Sequence, residues 1–101
     1  MAIQQEISSD GAEVRILVSG RFDFSAHKDF RESYEEIDVA PTKYTIDLSE
    51  ANYLDSSALG MLLLLRDHAN SGSAKVEIVN CSPEVRKILA ISNFEQLFAI
   101  H

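Results

Sequence analysis

The stretch YTIDLSEANYLDSSALGMLLLLRDHA, residues 44–69, contains the change of hydrophobic period that decides the fold. Tyr44, Ile46 and Leu48 alternate with Thr45 and Asp47, the period of two expected of a strand with unlike faces, between Pro41 and Glu50-Ala51-Asn52. From Asp55 to Ala69 the run opens on capping residues and is too long and too leucine-rich for a strand, so it reads as a helix. Leu59, Leu62, Leu63, Leu64 and Leu65, with Met61, cover more than one stripe of that helix. Such a helix is either pressed between layers or offers an apolar rim to a partner. Asn70-Ser71-Gly72-Ser73 ends it.

The same two periods recur outward from this stretch. Towards the N-terminus, Val14, Ile16 and Val18 share one face of a strand, and Ile3 and Ile7 precede the turn signal Asp10-Gly11, which together predict an opening hairpin. After Gly20-Arg21-Phe22-Asp23, apolar side chains at Ala26, Phe30, Tyr34 and Ile37 predict an amphipathic helix capped by Asp23 or Ser25. Towards the C-terminus, Val76, Ile78 and Val79 predict a short strand. Ser82-Pro83-Glu84 then supplies the cap, first-turn proline and first-turn acid of a helix burying Val85, Ile88, Leu89 and Ile91. Phe94, Leu97, Phe98 and Ile100 are left for a short edge strand. From the second element onward, strands and helices alternate, which predicts an α/β fold with a mixed sheet, its opening hairpin antiparallel and its later strands parallel.

At 101 residues, 46% of them hydrophobic and 25% charged, the chain is expected to form one domain over 1–101. Sixteen acids against nine lysines and arginines give a net charge of −7, a field that repels nucleic-acid phosphates and anionic lipid surfaces. Direct nucleic-acid or membrane binding is therefore not expected. Cys81 is the single cysteine, the first residues lack the basic start and apolar run of a signal peptide, and no apolar stretch approaches the roughly 20 residues of a membrane span. These features predict a cytoplasmic protein.

The chemically informative segment is Asp55-Ser56-Ser57, where two hydroxyls arrive at the start of an apolar helix. A helix N-terminus offers unpaired N–H groups and partial positive charge, so a phosphate added there is stabilised without unfolding anything. That phosphate would bring roughly −1.5 to −2 of charge beside an apolar surface, which is the makings of a switchable interface. Asp55, Ser56 or Ser57 is equally suited to capping the helix. Catalysis is not expected: there is no G-x-S-x-G elbow, and His27, His68 and His101 have no spacing that pairs one with either serine. Neither a zinc-type histidine pair nor a lysine-bearing phosphate loop is present, so no metal or cofactor is expected. Gly60 inside a helix costs roughly 1 kcal/mol against alanine, which marks close approach of another backbone or else ordinary packing.

Four stretches carry a family resemblance: Gly20-Arg21-Phe22-Asp23, Ile46 to Leu54, Asp55-Ser56-Ser57-Ala58-Leu59-Gly60, and Cys81-Ser82-Pro83 with its helix. Together they resemble the STAS domains of bacterial anti-sigma factor antagonists. The resemblance implies a STAS-like mixed sheet of four to five strands with helices mainly on one face, and no enzymatic activity of its own. It implies partner switching: the unphosphorylated domain binds an anti-sigma factor, and phosphorylation of one serine dissociates it. The acceptor is the serine after the motif aspartate, here Ser56. Asp23, Asp55, Ser57, Ala58, Leu59 and Met61 fall at the implied partner surface. The kinase is the anti-sigma partner itself, with a histidine-kinase-like ATP-binding fold, and a PP2C-type phosphatase reverses the reaction.

Residues 54–69 further resemble proteobacterial members linked to control of biofilm and motility, in which both activities reside in one response-regulator protein. Ala58 departs from the family's frequent glycine. The sequence also ends at His101, before a last helix of longer members, which leaves part of the sheet or helix layer more exposed. Two rivals are a STAS accessory subunit of a membrane transporter complex and an acidic carrier bearing phosphopantetheine, the latter opposed by the alternating strands.

Overall fold

In a computed structural model that describes residues 2–101, five strands form one sheet in the order β1-β2-β3-β4-β5. The strands are β1 (Ala2–Ile7), β2 (Glu13–Phe22), β3 (Lys43–Leu54), β4 (Lys75–Val79) and β5 (Ala99–Ile100). The helices are α1 (His27–Glu35), α2 (Ser56–Ser71) and α3 (Pro83–Ile91). Strands β1 and β2 form the antiparallel hairpin, and every later neighbour is parallel. Because each crossover moves one place in the same direction across the sheet, the right-handed rule puts α1, α2 and α3 on one face.

The register matches this layering. Tyr44 pairs with Val14 on one side and Val76 on the other, and Ile46 with Ile16 and Ile78, so one face of the sheet is an apolar floor. Phe22, Phe30, Leu62, Leu65, Val85 and Leu89 close the core above it, each at most 1% exposed. The opposite face carries polar side chains, among them Arg15, Thr45, Asp47 and Glu77.

Four expectations are corrected. Strand β3 does not end at Leu48: Glu50 and Ala51 pair with Ser19 and Gly20, and the strand runs to Leu54. Register shifts at Leu17/Ser19 and Gly20/Arg21 break the alternation, so the buried residues become Leu48, Ala51 and Leu54, three apart. Gly20, beside the second shift, has φ +79°, a backbone conformation that favours glycine. Asp23 caps a 3-10 turn over Phe24–Ala26 rather than α1 directly, and Ile37 lies beyond the end of α1. Ile91 is 73% exposed, because α3 turns only Val85, Ile88 and Leu89 inward. Finally, the apolar tail is mostly not a strand. Phe94 begins a 3-10 turn and stacks on Phe98 at 5.5 Å, which leaves only Ala99–Ile100 to pair with β4.

Candidate functional site

The ends of β2 and β3 leave the sheet side by side, tied by the Asp55 N–H donating to the Phe22 carbonyl at 3.3 Å. This brings Asp23 and the start of α2 together, as the sequence reading expects. Asp55 is the N-cap of α2: its backbone is extended and its carboxylate accepts from the Ala58 N–H at 2.9 Å. Ser56 is the first helical residue and exposed, with Ser57 half-buried behind it. Among the described residues no hydrogen bond links the Asp55 carboxylate to the Ser56 hydroxyl.

Capping and exposure are thus assigned to different side chains. Asp55 satisfies the Ala58 N–H, while the N–H groups of Ser56 and Ser57 have no carbonyl one turn back to accept them. An anion on Ser56 would meet these donors and the positive end of a 16-residue helix.

Asp23 is half-buried, and its carboxylate accepts from both the N–H and the hydroxyl of Ser25. The Ser25 hydroxyl, then its N–H, hold the Asp23 carboxyl below the usual carboxylate range. Arg21 sits 3.6 Å from the same carboxylate and lies over the Tyr53 ring at 4.2 Å.

The residues proposed for the partner surface divide. Asp23, Asp55 and Ser57 reach the surface, and Leu59 is partly buried against the core. Ala58 and Met61 do not reach it: they are 0% and 4% exposed, because a rotation of about 100° per residue sends them inward with Leu62, Leu65 and Ala69. The outward stripe is instead Ser56, Gly60, Leu63, Leu64 and Asp67. The sequence left the leucine-rich helix two fates, and both are realised on opposite sides: Leu62 and Leu65 are sealed, while Leu64 is 54% exposed. Phe24, 66% exposed and stacked on His27, and Tyr53 add apolar surface near the helix start. Sequence reasoning missed Phe24, although it directly follows Asp23, and gave Tyr53 no surface role. Among the described residues, nothing beyond the neighbouring backbone of α2 itself lies within 4 Å of where a Gly60 Cβ would stand, so no approaching backbone explains the glycine.

This chain matches the family model described as "Mlab, STAS domain" over residues 6–99. The chain belongs to the STAS domain family. A STAS-domain containing protein of Pseudomonas aeruginosa (strain UCBPP-PA14) is 63% identical over 100 residues, covering 99% of each chain. Among solved STAS folds, the anti-sigma factor antagonist SpoIIAA in its unphosphorylated form superposes with a TM-score of 0.84 at 22% identity, covering 99% of this chain and 88% of that one. The phosphorylated form of SpoIIAA, from Bacillus, gives 0.71 at 21%, covering 99% and 91%. A sulfate transporter family protein from Wolinella succinogenes gives 0.81 at 11%, covering 93% and 75%. At these identities the superpositions establish a shared mixed five-stranded fold, whose strands weigh against the carrier reading.

Proposed function

We propose that this STAS domain is an anti-sigma factor antagonist that works by partner switching in the cytoplasm, with Ser56 as the phosphoacceptor. The observation that carries this reading is an exposed hydroxyl at the first position of α2, beside an aspartate already engaged as the cap. In the reaction, the Ser56 Oγ attacks the γ-phosphorus of ATP. The Oγ–P bond forms, the bond to the ADP oxygen breaks, and the hydroxyl proton passes to solvent water. A kinase with a histidine-kinase-like ATP-binding fold supplies this chemistry and a PP2C-type phosphatase hydrolyses the ester. The STAS domain contributes only the hydroxyl and is no enzyme. By resemblance to members linked with biofilm and motility, both activities belong to one response-regulator protein.

Release follows from solvation. The outer stripe of α2 and the exposed Phe24 ring form an apolar contact surface around Ser56. Docking there removes water from the Ser56 oxygen, which a neutral hydroxyl tolerates and a phosphate dianion does not. The orphan N–H groups meanwhile hold the phosphorylated, undocked form.

The decisive experiment is a pull-down of the regulator with Ser56→Ala and Ser56→Asp. Retained capture with alanine and loss with aspartate support the switch; equal capture refutes it. A second reading, an accessory subunit of a membrane transporter complex, draws on the transporter-family superposition. Co-purification with a transporter ATPase, and intact mass lacking the added phosphate of about 80 Da, would favour it.

A further inference from the structure

About 22 Å along α2 from Ser56, at 1.5 Å per residue, the ends of α1 and α2 and the start of β3 enclose a cleft that the switch does not use. It measures about 300 Å³, at the lower end for small-molecule sites, and Ile37, Val39, Pro41 and Ala74 give it apolar walls. Its polar equipment is Tyr34, Tyr44, His68 and Glu35. The His68 ring lies 5.0 Å from Tyr34 and 6.3 Å from Tyr44. Both tyrosines are 3% exposed, yet neither hydroxyl makes a hydrogen bond among the described residues. No buried side-chain polar atom there lacks a partner, so neither hydroxyl is sealed in the interior, and both tyrosines line the cleft.

The electrostatics of the cleft lean negative: at Tyr34 the Glu35 carboxylate outweighs the Arg31 guanidinium. Helices α1 and α2 both start where parallel strands end and run back, so both carboxyl ends, with their partial negative charge, reach this cleft at Glu35 and Ser71. Glu35 adds a carboxylate, which Arg31 approaches to 3.9 Å from its own helix, the tyrosine rings offer negative faces, and among the described residues no lysine or arginine lines the cleft. Burial pushes both tyrosine hydroxyls up from their ordinary pKa, which keeps them neutral and able to accept a hydrogen bond from a cation.

We propose that this cleft binds a small organic amine in its protonated form. The apolar body lies against Ile37, Val39 and Pro41, and the ammonium group donates to the Tyr34 and Tyr44 hydroxyls within reach of Glu35. The site is independent of Ser56.

The test is titration of the isotope-labelled full chain with tyramine, followed by amide NMR, with 4-propylphenol as a neutral probe of similar shape. Saturable shifts are expected at Glu35, His68 and Gly72, with 4-propylphenol binding about tenfold more weakly, a difference of about 1.4 kcal/mol. Tyr34→Phe combined with Tyr44→Phe removes only two oxygens and is expected to weaken tyramine at least about fivefold, while Ser56→Ala leaves its binding unchanged. Equal affinity for the neutral probe, shifts that do not saturate or that map elsewhere, or an unaffected double variant would overturn the proposal. The comparison of the two probes on the unaltered chain needs no variant to fold.

Discussion

Asp55 and Ser56 are neighbours with separable duties, and substitution can tell the duties apart. Asp55 holds the first turn of α2 through one hydrogen bond to the Ala58 N–H. Asp55→Ala is therefore expected to cost about 1 kcal/mol, read as a fall in Tm of about 4–8 °C, while Asp55→Asn, which caps equally well, restores most of it. Ser56→Ala removes no hydrogen bond of the fold and should leave Tm within about 2–4 °C of the parent, since surface changes away from special features stay within about 0.5 kcal/mol. Thermal unfolding of the three variants checks this, and a Ser56→Ala loss as large as that of Asp55→Ala would make Ser56 a structural residue. Asp23 adds a pH signature. Its folded carboxyl is held below the ordinary value, so the stability it contributes is complete above that value and is lost as pH falls through the depressed one. Ser25→Ala removes the main cause, and NMR titration should find the Asp23 carboxyl returned towards 3.8.

In α2 the cost of an unneeded glycine becomes measurable. Gly60 sits mid-helix with open space where its Cβ would stand. Gly60→Ala should therefore stabilise the chain by about 0.5–1 kcal/mol, visible as a raised urea midpoint with unchanged slope. A lowered midpoint would mean that the glycine serves the fold in some other way. The helix also shows what was legible in the sequence. Its existence, its start at Asp55 and the strand before it followed from period and capping chemistry, because those are local. Its phase did not: leucines at 62, 63, 64 and 65 point apolar surface in every direction, so only the position of the sheet decided that Ala58 and Met61 turn inward and Leu64 outward. The end of β3 was hidden for a related reason, since bulges opposite Gly20 replaced a period of two by a spacing of three. The exposure of Phe24 was unreadable because a 3-10 turn, rather than α1, follows Asp23.

For the molecule as a whole, the strand order that puts every helix on one face leaves a largely parallel sheet open on the other, although sheets of this kind are usually covered on both. The chain meets that exposure with polar side chains held flat on the strands, and Asp47 is their hub. Only 6% exposed, it accepts from the Ser49 N–H at 2.8 Å, from Asn80 at 3.2 Å and from Arg15 at 2.5 Å. Burial alone would raise its pKa, but the hydrogen bonds from Ser49, Arg15 and Asn80 together outweigh it and hold the carboxyl below the ordinary value. Asp47→Ala leaves a half-buried N–H and two side-chain donors without their acceptor, and should cost about 1–3 kcal/mol at pH 7 by urea unfolding. Because the folded pKa is the depressed one, the contribution is complete above the ordinary carboxylate range and disappears as the native carboxyl takes up its proton. The gap in stability between the parent and Asp47→Ala should thus stay constant from about pH 7 to 5 and narrow below about pH 4. A gap that keeps its full width down to acid unfolding would show that the charge on Asp47 contributes nothing, and that the open face is held by shape alone.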